Sequence, residues 1–158
     1  MKIVVFDMDN IRNPHWGSGQ AVATREIFKR LSARHEVTVY SSKYPNAKDY
    51  IEEGICYKHV GLGTNKSFLN NLAYIAVLPF LVRKIQADII VEHFTAPFSL
   101  CFTPLFTRIP VIGLSSFFDS KILGQKYHLP FEIVPKKGAK YYRFFIGIIC
   151  RTAPSSYN

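Results

Sequence analysis

The chain has 158 residues, 48% of them hydrophobic, and a formal net charge of +9. That length suits one domain with a real core and is short for two, and the apolar content excludes a disordered chain. The positive charge points to anionic partners: nucleotides, phosphorylated sugars, acidic lipid surfaces or nucleic acid. Cys56, Cys101 and Cys150 are odd in number, widely spaced and form no CxxC pair. A disulfide framework and a zinc site are therefore poor readings, and a reducing cytoplasm is the expected setting.

Lys2–Phe6 is β-branched and nearly continuous in apolar character, as a buried strand is. Asp7 and Asp9 follow too soon for the segment to serve as a signal peptide. A loop runs from Asp7 to Trp16, with Asn10, Asn13 and Pro14 as breakers. Gly17-Ser18-Gly19 then opens a helix over Gln20–Arg34, with Ser18 as cap and Val22, Ile27, Phe28 and Leu31 directed to a core. A second strand is expected over Glu36–Ser41, a polar connection over Ser42–Glu53, and a third strand over Ile55–Val60 that ends at Gly61-Leu62-Gly63.

Ser67–Gln86 reads as a long, mostly buried helix bent or broken at Pro79. Its apolar stretch, Leu72 to Val82, is well short of the roughly 20 residues that a membrane span needs. Asp88–His93 is a fourth strand, Pro97–Thr107 a short helix and Val111–Ser115 a fifth strand. Phe117–Pro135 shows no period, Lys136–Arg151 reads as a basic aromatic helix, and 152–158 is a frayed tail. Alternating strands and helices predict a Rossmann-like α/β domain over 1–151, with a mostly parallel sheet covered on both faces. A further strand is expected after the basic helix, so the domain looks incomplete.

The first strand, glycine turn, helix and second strand make a crossover unit that sets small residues at a helix N-terminus. Unpaired N–H groups and the helix dipole suit a phosphate there.

Val4-Val5-Phe6-Asp7-Met8-Asp9-Asn10 resembles the nucleophile motif of haloacid dehalogenase-like phosphatases. That resemblance implies Asp7 as nucleophile and Asp9 as acid/base around Mg²⁺. The sequence departs from it at Ile11, where that family has Thr, and it lacks the late acidic pair.

A broader resemblance covers Met1 to Asp119. Gly17-Ser18-Gly19, the run Leu31–Val39 with its His35-Glu36-Val37-Thr38-Val39, the strand Ala87–His93 and the run Arg108–Gly113 together resemble the N-terminal half of a family 4 glycosyltransferase of the retaining GT-B type. The resemblance implies an acceptor-side domain facing a second domain that holds a nucleotide-sugar co-substrate, with no metal or other cofactor. Gly17, Ser18 and Gly19 would reach the donor phosphates. His93, at the carboxyl end of its strand, would face acceptor or sugar, while Glu92 points to the opposite face. Arg12, His15 and Trp16 in the first loop are further acceptor candidates. Val91 replaces a first histidine of the family strand, and Ser115 or Ser116 stands where many members place a sugar-contacting histidine, so no catalytic residue is assigned. The donor domain's paired glutamates, seven residues apart, do not occur. The isolated chain is therefore expected to lack turnover, and its missing partner is a C-terminal domain or a second chain.

Between Lys121 and Arg151 seven Lys/Arg stand against one Glu, interleaved near the end with Tyr141, Tyr142, Phe144, Phe145, Ile146, Ile148 and Ile149. This pattern suits an anionic membrane surface, hence peripheral attachment to the inner face of a membrane, and equally an apolar face packed on the sheet with solvated lysines. No RNA-binding module motif accompanies it. The leading expectation is a glycosyltransferase N-terminal domain acting on a glycan or lipid-linked acceptor. The alternatives are a non-catalytic binding module at a membrane or partner chain, and the phosphatase.

Overall fold

In the computed structural model the described residues are 1–14, 19–94 and 101–115. Nearly all of them belong to one compact unit, Met1–His93 with Cys101–Leu114. Its elements are β1 (Lys2–Phe6), α1 (Gly19–Ser32), β2 (Glu36–Ser42), β3 (Tyr50–Glu52), β4 (Ile55–Val60), α2 (Ser67–Lys84), β5 (Ile89–Phe94), a 3₁₀ turn (Thr103–Leu105) and β6 (Val111–Ser115). One six-stranded sheet has the order β3-β4-β2-β1-β5-β6. β1 pairs in parallel with both β2 and β5, and β2 with β4. The Rossmann-like expectation holds.

Strand alternation sorts the core into two layers. Ile3, Val5, Val37, Val39, Ile55, Tyr57 and Val91 pack with Phe28 of α1. Val4, Phe6 and Ile90 pack with Tyr74, Leu78 and Val82 of α2. The crossover helices thus cover different faces. Because the chain goes from β1 outward to β2 and β4, then returns to β5 on the other side of β1, the topological switch point lies between β1 and β5.

The sequence reading needs four corrections. Residues 50–52 are not polar connection but an edge strand, antiparallel to β4. The turn between them, Glu53-Gly54, has both residues at positive φ (52° and 78°), the left-handed pair that a two-residue hairpin requires. Arg25 and Lys29 of α1 each bond the Glu53 carboxylate, and Ser32 Oγ donates to its carbonyl, so α1 clamps this turn. Secondly, α1 buries Ala21, Thr24 and Phe28, whereas Val22, Ile27 and Leu31 are exposed. A narrow stripe suffices because the sheet beneath supplies most of the apolar surface.

Thirdly, α2 runs unbroken through Pro79 from Ser67 to Lys84, although the proline removes the donor for the Ile75 carbonyl. It is not mostly buried: only Asn70, Tyr74, Leu78 and Val82 are. Asn70 also fastens the preceding loop, accepting from Thr64 N at 2.7 Å and donating to Thr64 O at 2.6 Å. Fourthly, the described part of the expected helix at 97–107 is a single 3₁₀ turn. The expected helix at 136–151 lies outside the described residues.

Candidate functional site

Asp7, the residue after β1, is fully buried at 0% exposure. Its carboxylate accepts from Gln20 Nε2 (2.7 Å) and Asp9 N (3.1 Å) through Oδ1, and from Thr24 Oγ1 (2.5 Å) through Oδ2. Gln20 and Thr24 stand on the first turns of α1, so Asp7 ties the start of that helix to the end of the central strand. With both oxygens engaged and no exposed surface, Asp7 is not placed to attack a phosphate. Among the described residues no three His, Cys, Asp or Glu side chains gather as a metal site either. The engagement of both Asp7 oxygens weighs against the phosphatase reading.

His93, two residues beyond Val91 on β5, shares the α1 face with Asp7 and is 6% exposed. Its Nε2 lies 3.3 Å from Thr24 Oγ1. The single hydroxyl proton of Thr24 goes to Asp7, so towards His93 the threonine oxygen is an acceptor. The imidazole therefore carries its proton on Nε2 and presents the lone pair of Nδ1, which has no hydrogen-bond partner. Burial pushes the His93 pKa below the usual histidine value and Asp7 pulls it back only in part, which keeps the ring neutral.

The same face carries more polar atoms of this kind along the carboxyl edge. Ser41 of β2 and His59 of β4 are register partners, two residues beyond the core positions Val39 and Tyr57. Ser41 Oγ and both ring nitrogens of His59 lack hydrogen-bond partners, although the Asp49 carboxylate approaches His59 Nδ1 to 3.4 Å. That approach is an ion-pair distance without hydrogen-bond geometry, and burial lowers the His59 pKa more than Asp49 raises it. Asn10 is buried, its Oδ1 accepting from Arg12 N (2.8 Å) and Tyr50 OH (3.2 Å) while its Nδ2 has no partner. Tyr50 stacks on Tyr57 at 4.6 Å and leans on His59 at 5.9 Å. Buried polar groups are almost always paired, so such atoms along one edge mark a place where a hydroxyl-rich ligand or water completes the bonding.

Glu92, one residue before His93, faces the α2 side as expected and is also buried. Its carboxylate accepts from Thr103 N (3.1 Å), Thr103 Oγ1 (2.5 Å), Cys101 Sγ (3.1 Å) and Phe102 N (3.3 Å). Burial raises its pKa, and these four donors partly offset the rise. Glu92 organises the start of the 3₁₀ turn.

Of the residues singled out by sequence, His93 lies at the switch point. Gly19 is the first residue of α1, and a Cβ there would meet nothing within 4 Å, so the approach to its backbone is open. Arg12 is exposed, with its guanidinium 3.9 Å above the Tyr50 ring and 3.3 Å from the Glu52 carboxylate. His15, Trp16, Gly17, Ser18 and Ser116 lie outside the described residues, as does the side chain of Ser115. Sequence reasoning missed Thr24, Ser41, His59, Asn10 and Tyr50. The available signal was positional: Ser41 and His59 sit near the carboxyl ends of expected parallel strands, where ligands bind.

These features define a class, an open doubly wound α/β domain with unpartnered polar atoms along the carboxyl edge of its sheet. The family model described as Glycosyltransferase Family 4 matches residues 17–146. The chain belongs to that family, as a glycosyltransferase N-terminal domain. No curated protein and no solved structure gives a significant match.

Proposed function

We propose that this is the acceptor-binding side of an enzyme that transfers a sugar from a nucleotide-sugar to a glycan or lipid-linked acceptor. One observation carries the reading: His93 Nδ1, a buried acceptor without a partner, is held in a defined tautomer by Thr24 and Asp7 at the switch point. A sugar hydroxyl is the complementary group, since it can donate a bond to Nδ1 and still accept one from elsewhere. Rigid placement of the acceptor hydroxyl is what glycosyl transfer asks of this half of the enzyme. The donor diphosphate would meet residues 17–19 at the open N-terminus of α1. Helix N–H groups and cationic side chains there answer the charge of the leaving group, so the reading calls on no metal. Most donor contacts belong to a second domain, and the chain alone is expected to give no turnover.

The test is ¹⁵N NMR of the histidine rings during titration with a panel of glycan acceptors and nucleotide-sugars. At least one acceptor glycan is expected to shift His93 Nδ1 through a new hydrogen bond, and His93→Ala should abolish its binding. A panel that leaves the His93 ring unmoved would overturn the acceptor assignment.

A further inference from the structure

α2 is apolar on two opposite sides. Asn70, Tyr74, Leu78 and Val82 form the buried stripe, at i+4 spacing. Phe68, Leu72, Ala76 and Phe80 form a second stripe with the same spacing, two residues out of phase and hence about 180° around the helix. This second stripe faces outward: Phe68 is 77% exposed, Leu72 54% and Phe80 66%. Leu69 and Val77 widen it, and Leu62 in the preceding loop is exposed as well. No charged residue occurs between Ser67 and Val82. An exposed apolar patch along some four turns of helix is more than scattered surface leucines, and such patches mark interaction sites.

The charge around the stripe identifies its occupant. Lys66 precedes α2 and Arg83 and Lys84 close it, so cations flank the apolar run at both ends. From Gly54 to Ala87 there is no Asp or Glu at all. A second copy of the chain would bring its own +9 and the same cations to the contact. The basic aromatic segment 136–151 carries Lys136, Lys137, Lys140, Arg143 and Arg151 with no acid, so it too would meet like charge. An anionic lipid surface suits both features. Its acyl boundary receives Phe68, Leu72 and Phe80, and its phosphates receive the ammonium groups of Lys66 and Lys84, whose long stems let the charge reach the headgroups. No helix among the described residues is long and apolar enough to cross a membrane, so the contact is one of lying on the surface.

We propose that the outer face of α2 docks this domain on anionic membranes, with Phe68, Leu72 and Phe80 inserted and Lys66 and Lys84 against lipid phosphates. The proposal stands apart from the acceptor assignment, because α2 covers the sheet face opposite the one that carries His93.

The experiment is co-sedimentation of the 158-residue chain with vesicles of phosphatidylglycerol and phosphatidylcholine, against phosphatidylcholine alone, across a salt series. Binding is expected to the anionic vesicles and to weaken with salt. Phe68→Ser with Phe80→Ser should lower the partition coefficient by about tenfold or more, from the apolar area withdrawn from the membrane. Its far-UV circular dichroism should stay unchanged, since both side chains lie outside the core. Lys66→Glu with Lys84→Glu should reduce anionic binding, and Phe144→Ser with Phe145→Ser should leave most of it. Undiminished binding by the Phe68/Phe80 variant overturns the proposal, and so does loss of binding confined to the Phe144/Phe145 variant. A dimer seen by ultracentrifugation that the Phe68/Phe80 changes dissolve, without vesicle binding by the parent chain, overturns it in favour of self-association.

Discussion

Glu92 and His93 are consecutive on one strand, both buried, and opposite in what they leave open. Glu92 turns to the α2 face, where Cys101, Phe102 and Thr103 supply four donors to its carboxylate. His93 turns to the α1 face, where Thr24, itself bonded to Asp7, occupies one ring nitrogen and leaves the other bare. A closed network of this sort fixes a turn. An open one, at the carboxyl edge where parallel sheets bind ligands, is poised for a partner from outside. Burial alone therefore does not distinguish the two, but the number of hydrogen bonds left unmade does.

The comparison can be broken most forcefully at Glu92. Glu92→Leu strands several donors around an apolar side chain and should destabilise the fold by about 3–5 kcal/mol, read from urea unfolding. A loss below about 1 kcal/mol would show that the turn at Thr103 does not depend on the carboxylate. Thr24→Val comes next, at about 1–3 kcal/mol, because it removes a donor to Asp7 in the buried interior. In a double-mutant cycle Thr24→Val should couple with His93→Ala, whereas Glu92→Gln should add independently to His93→Ala. His93→Ala alone is expected to cost about 1–2 kcal/mol in stability while abolishing acceptor binding, which calorimetry of the same variant would compare directly.

The smallest effect is a pH slope. Burial holds His93 and His59 below the ordinary value of 6.5, so between those depressed values and 6.5 the unfolded chain binds more protons than the folded one. Unfolding free energy should then fall as pH is lowered through that window and level off below the folded pKa values. His93→Gln should remove its share of the slope, and an unchanged slope would mean that His93 is not held neutral by burial. Protonation also converts Nδ1 from acceptor to donor, so acceptor binding should weaken as pH falls through the depressed folded-state value.

The fold was largely legible in the chain itself. β1, β2, β4 and β5 are runs rich in Val, Ile and aromatic residues with helical stretches between them, and buried parallel strands demand that pattern. The edge strand over 50–52 escaped because its three residues carry no periodic signal and gain their strand character only by pairing with β4. Val22, Ile27 and Leu31 were misplaced because helical spacing identifies an apolar face without saying which part of it the sheet covers. The same limit hid the outward stripe of α2, whose sequence reads as buried all round.

His93 was nameable from its place at a strand end, and Gly19 from its place at a helix start. What gives His93 a bare acceptor nitrogen is Thr24, 69 residues away in sequence, with Asp7 behind it. Composition and periodicity determined that this chain makes an open α/β sheet and where its carboxyl edge would lie, since burial patterns are local in sequence. Which polar atoms along that edge would be satisfied by the chain, and which left for a ligand, only the tertiary structure decided. A hydrogen bond needs two groups brought together in space, and here they come from different strands and the helix that crosses between them.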